Sequence, residues 1–172
     1  MKPQQIFAAL FVVTLASNAM AQTTGSQKFK VIVPTNISIT PPADATITHD
    51  QSENNQAFPA QQWVVKGNTL TGVTVSFATG SAFVHTTDNT FKRNASLGLA
   101  VASNQGPATW NVTKASDATD YANADGVATV QAESNGVGRA TFNLNVSFVT
   151  DGFGSFAAGN YESTVVGTVT AK

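Results

Sequence analysis

The side chains that could do chemistry are few and scattered. The chain has two histidines, His49 and His85, and His49 is followed directly by Asp50. A His-Asp step could orient a general base or seed a metal site. A base of that kind works beside a nucleophile or a metal, with a third group fixing the ring. The sequence contains no Gly-x-Ser-x-Gly elbow, no His-Glu-x-x-His pair and no phosphate-binding glycine loop. The expectation is two surface histidines in polar loops and a protein that is not an enzyme. Asp117, Asp120 and Asp125 fall in one irregular stretch with Asn123 beside them. Calcium takes about six to eight oxygen ligands, and this loop could supply several, so calcium is the cofactor to test for. Asp44, Asp50 and Glu53 make a sparser acidic group. Trp63, Trp110 and Tyr121 are the aromatic side chains that could stack on a sugar ring. Trp63 shares a strand face with Val65, and Trp110 with Val112. The two indoles are therefore expected in the core, which leaves Tyr121 as the candidate ligand-binding residue.

The elements that would position these residues are strands. Residues 139–149 read Arg-Ala-Thr-Phe-Asn-Leu-Asn-Val-Ser-Phe-Val, with Ala140, Phe142, Leu144, Val146 and Phe148 apolar and polar residues between them. Period-two alternation puts one dry and one wet face on a strand, whereas a helix would scatter the same residues around its axis. A last strand over 161–170 is its expected hairpin partner. Similar short alternations recur at Trp63 and Val65, at Val73, Val75 and Phe77, at Leu97, Leu99 and Val101, and at Trp110 and Val112. Turn residues separate them, among them Asn104-Gln105-Gly106-Pro107, Asp125-Gly126 and Asn135-Gly136. About eight to ten such strands predict an all-β fold, a single antiparallel β-sandwich with Ig-like or pilin-like, Greek-key connections. Near the N-terminus, Phe29, Val31, Val33, Ile37 and Ile39 also alternate. Pro34 interrupts that run, and proline cannot donate to a ladder.

Residues 1–21 read as a secretory signal peptide. Lys2 gives a positive start, 6–15 is an apolar stretch too short to span a bilayer, and Ala19-Met20-Ala21 is a small-x-small cleavage site. A polar extension at 22–27 and a sandwich domain at 28–172 would follow. Without the leader, eight basic side chains face ten acidic ones, a net charge of −2. With no basic stripe, nucleic acid is not an expected partner. No later apolar run is long enough for a membrane span in the mature form. The chain has no cysteine, so burial and strand pairing alone must hold it, although exported proteins can form disulfides.

The final segment runs Ala157-Ala158-Gly159-Asn160-Tyr161-Glu162-Ser163-Thr164-Val165-Val166-Gly167-Thr168-Val169-Thr170. It resembles the closing strand of bacterial pilin-like, spore-coat-U-like and WxL-like secreted β-sandwich proteins. These tend to end in a small-Gly-x-Tyr turn, spaced valines and a Val-Thr finish. The resemblance covers about 16 residues. It implies a secreted surface or extracellular structural and adhesive protein, located at a bacterial cell surface, in an extracellular matrix or in the periplasm. Its partners would be further copies of itself or related surface subunits. In chaperone–usher pilins an N-terminal segment of one subunit completes the sheet of the next, and Phe29, Val31 and Val33 have the every-second-residue pattern of such a strand-addition segment. The chain departs from many pilins in lacking a cysteine pair. It departs from WxL domains in having Trp63-Val64-Val65 and Trp110-Asn111-Val112 where Trp-x-Leu would stand. The alternative reading is a module that binds polysaccharide or the cell wall.

Overall fold

The structure, a computed structural model, describes residues 22–152 and 154–172; the leader read at 1–21 lies outside them. The chain divides into two units, Met1–Val33 and Pro34–Lys172. In the first, the described residues 22–33 form no strand or helix. Phe29, Val31, Ile32 and Val33 there are 76–87% exposed. The alternation of 28–40 therefore yields a strand only beyond Pro34.

The second unit is all-β, and every strand pairing in it is antiparallel. One sheet runs in the order β1 (Ile37–Thr40), β3 (Gln61–Gly67), β11 (Gly138–Phe148), β7 (Ala95–Gln105), β9 (Ser116–Ala118), with β2 (Gln56–Ala57) paired to the far end of β11. A second sheet runs β13 (Val165–Ala171), β4 (Val73–Thr79), β10 (Thr129–Ser134), β8 (Trp110–Lys114). A small third sheet joins β12 (Tyr161–Glu162), β5 (Phe83–His85) and β6 (Lys92–Arg93).

The alternation of 139–149 becomes the centre of the first sheet. β11 pairs with β3 from Gly138↔Gly67 to Leu144↔Gln61, and with β7 from Arg139↔Gln105 to Phe148↔Ala95. The register with β7 shifts between Thr141 and Phe142, a bulge that bends the strand locally. Ala140, Phe142 and Leu144 are almost fully buried, while Thr141 and Asn143 keep partial exposure. Opposite them lie Val73, Val75 and Phe77 of β4, Val130 and Ala132 of β10, and Trp110 of β8. Trp63 meets Phe77 edge-on at 5.2 Å, Phe77 meets Phe142 at 6.1 Å, and Trp110 meets Phe142 at 5.5 Å. A second cluster gathers Phe83, Ala95 and Phe148, with Phe58, Val146 and Tyr161 packed against it.

The last strand is not the hairpin partner of β11. β13 pairs with β4 in the opposite sheet, and β12, which lies between it and β11 in the chain, pairs with β5 in the third. Alternation tells which face of a strand is dry but not which neighbour it takes, and a valine-rich strand suits either layer. Gly167 sets how closely the layers approach at this edge. A Cβ there would stand 2.7 Å from Ile39 Cδ1 and 2.8 Å from Trp63 Cζ3, so only glycine lets β13 lie down on the β1 side. Gly72 has a φ of +88° and makes the turn between β3 and β4, a conformation side chains resist.

Phe142 contacts both tryptophan-bearing sides of the core. Phe142→Ala should lower unfolding free energy by about 3–5 kcal/mol, measured by urea denaturation followed by circular dichroism.

Candidate functional site

Around His49 the chain assembles the outline of a triad without its chemistry. His49 Nε2 lies 3.2 Å from Thr150 Oγ1, and Asp50 Oδ1 lies 3.9 Å from His49 Nδ1. However, Nδ1 accepts the Gln51 N–H at 2.9 Å. The Asp50 carboxylate accepts from Ser52 N–H and Gln56 Nε2. The bonds to Ser52, led by its side chain, hold the Asp50 carboxyl below its ordinary value. Thr150 is fully buried and donates its hydroxyl hydrogen to Asn54 O at 2.7 Å. The hydroxyl thus faces no solvent, and the histidine serves as a brace between the 49–56 loop and the end of β11. Its ring also packs on Phe156 at 4.5 Å and on Phe148 at 5.6 Å.

His85 was expected at the surface and is instead buried, at 8% exposure. Its Nδ1 accepts the N–H groups of Thr87 and Asp88, and its Nε2 lies 3.2 Å from Ala158 O. Tyr161 packs edge-on against the ring at 5.1 Å. The backbone of the 85–88 turn wraps the imidazole, which short-range sequence cannot signal. Arg93, only 6% exposed, reaches Asp151 Oδ2 at 3.1 Å and the Ser155 carbonyl.

The three aspartates proposed for calcium are not gathered. Asp117 lies in β9, where its carboxylate pairs with Lys114 Nζ at 2.7 Å and accepts Thr129 N–H at 2.7 Å. Asp120 caps the 3-10 turn Tyr121–Asn123 and takes both the backbone and side-chain amides of Asn123. Asp125 meets Asp120 only through the backbone. Among the described residues no group of three metal-ligating side chains comes together. Tyr121, the candidate ligand-binding residue, is half-buried in that turn, with its N–H donated to Asn94 Oδ1. Trp63 and Trp110 are 9% and 8% exposed, as their shared faces with Val65 and Val112 predict.

The site that sequence reasoning missed is a groove. It has a volume of about 1330 Å³ and runs between residues 41–49 on one side and 156–165 on the other. Phe58, Trp63, Phe83, Val146, Phe148 and Tyr161 line its floor. Two features make its walls distinctive. Residues 41–48 belong to no strand and make no backbone hydrogen bond among the described residues. β13, which continues the opposite wall, pairs only with β4 and ends its sheet. The 41–48 wall thus carries unused backbone donors and acceptors beside an apolar floor, and of β13 only Val165 reaches the groove. The only sequence sign of this was negative: Pro41-Pro42 stops the β1 ladder.

Comparison with protein-family models, curated proteins and solved structures finds no match to the chain.

The Lys114 hydrogen bond, then the Thr129 N–H, hold the Asp117 carboxyl below its ordinary value of 3.8. A lowered folded value means that Asp117 contributes stability above pH 3.8, and that this is lost as pH falls toward the folded value. Asp117→Asn should therefore lower the melting midpoint at neutral pH, and the gap to the parent should close below pH 3.8; a gap independent of pH would contradict this.

Proposed function

We propose that this is a secreted, non-catalytic structural or adhesive surface protein whose copies associate by β-strand addition. The observation that carries the reading is the state of residues 28–33. Phe29, Val31 and Val33 alternate as a strand should, yet they form no strand and stand 76–87% exposed. Leaving three such side chains in water forgoes roughly 1.5–3 kcal/mol apiece, a gain open to any partner that covers them. A contiguous exposed apolar segment is a mark of an interaction site.

The receiving side would be the groove. An extended peptide added to a sheet edge gains main-chain hydrogen bonds, while alternate side chains filling pockets set its register. The unpaired backbone of 41–48 meets the first need, and the open edge of β13 begins where the groove ends, at Val165. The floor formed by Phe58, Phe83, Phe148 and Tyr161 meets the second. The donor carries Lys28 and Lys30, and the groove is lined by Asp44 and Glu162, so the charges are complementary. Secretion rests on the leader-like residues 1–21.

Deleting residues 22–33 should leave a folded domain with little change in melting midpoint and abolish concentration-dependent assembly in analytical ultracentrifugation. Val31→Asp in the full chain should weaken assembly in the same way, because Val31 is 87% exposed and bears no fold. An intact chain that stays monomeric at millimolar concentration would refute the reading.

A further inference from the structure

The outer face of the first sheet carries an arrangement that strand assembly does not use. In register across four strands stand Ser38 of β1, Lys66 of β3, Arg139 of β11 and Gln105 of β7. Lys66 and Arg139 are direct cross-strand partners, and both are exposed. Opposed residues in an antiparallel pair have Cβ atoms about 4.5–5.5 Å apart, and like charges in that position are destabilising. Here, positions two residues either side along each strand hold Asn36, Thr40, Val64, Asn68, Val137, Thr141, Ser103 and Pro107, with no acid among them. Neither Lys66 nor Arg139 joins any of the ion pairs or side-chain hydrogen bonds among the described residues. The pair also borders a shallow depression of about 260 Å³, whose lining includes Asn36, Asn68 and Val137.

We infer that this row is a binding site for an acidic polysaccharide, with Lys66 and Arg139 taking its carboxylate or sulfate groups. The repulsion between the two cations is relieved when an anion bridges them. Arginine's planar fork suits a bidentate oxyanion, and lysine supplies a mobile point charge. A single inorganic ion would leave Ser38 and Gln105 idle. A sugar chain laid across strands spaced about 4.8 Å apart can give its hydroxyls to those two side chains and its anionic groups to the cations between them. Without the leader the protein has a net charge of −2, so the attraction is local to this row. The inference does not depend on strand addition, since the row lies on a sheet face and the groove at the sheet edges.

The test is binding of the purified protein to polygalacturonate, dextran sulfate and neutral dextran, with sodium sulfate at equal anion concentration as the small-ion arm. Calorimetry and melting midpoints are read in parallel at low salt. Binding to either anionic polymer, none to dextran and a much weaker response to free sulfate is the expected result. The polymer that binds identifies the carboxylate or the sulfate as the group recognised. The double variant Lys66→Gln/Arg139→Gln should lose at least about tenfold in affinity. Without polymer it should melt no lower than the parent, because a repulsion has been removed. Lys28→Gln/Lys30→Gln should bind like the parent. The inference is overturned by equal binding of the double variant or by loss confined to the Lys28/Lys30 variant. It is overturned equally by no polymer binding, by free sulfate matching the polymers, or by a salt-sensitive dimer that takes the place of polymer binding.

Discussion

With no cysteine in the chain, the sandwich depends on burial between its two layers, and that burial runs through β11. This strand has a paired neighbour on each side for most of its length, so its position is fixed before any loop is considered. Phe142 then reaches across to Phe77 and Trp110. Residues further out pack in relation to this contact: Val65 and Leu97 flank it in the same sheet, and Val75 and Val130 face it from the other. Sheet faces about 10 Å apart leave room for one interdigitated layer of side chains. The glycine at 167 is what allows that spacing to narrow at the β1–β13 side.

The functional features lie where this order gives out. Beyond Thr40 the β1 ladder stops, and 41–48 makes no backbone hydrogen bond among the described residues. β13 ends the opposite sheet with its outer edge unpaired. Sheet edges are usually blunted by charge, proline or a covering element. Here Pro41-Pro42 blunts one side, while the other presents Val165, Val166 and Val169 with little charge. An edge of this kind beside an apolar floor is costly to leave in water, as is the bare segment 28–33. The bare segment is basic, with Lys28 and Lys30, and the groove lining includes Asp44 and Glu162.

Much of the fold could be read from the sequence, because alternation is a direct imprint of a half-buried strand. β3, β4, β7, β8 and β11 all lie where it predicted them, with Trp63, Val75, Leu97, Trp110 and Phe142 on the dry face. The same signal over-reached at residues 29–33. It reports that a segment would suit a sheet, and says nothing of whether a partner is present. The exchange of β13 into the opposite layer was hidden for a related reason, since strand order is decided by long-range packing. The candidate sites were less legible still. His85 is buried by a backbone turn, and Asp117 is held by Lys114. The Lys66–Arg139 opposition exists only once the register of two strands 73 residues apart is known. Their chemistry is a product of the fold, not of neighbouring residues in the chain.

The aromatic packing divides the molecule optically as well as mechanically. Both indoles belong to one line, Trp63–Phe77–Phe142–Trp110, while the cluster of Phe58, Phe83, Phe148 and Tyr161 contains none. Trp63 also stands on the groove floor, so indole emission reports on the interior through Trp110 and on the groove through Trp63. The two indoles thus report from opposite ends of one aromatic line, one at the groove floor and one in the closed core.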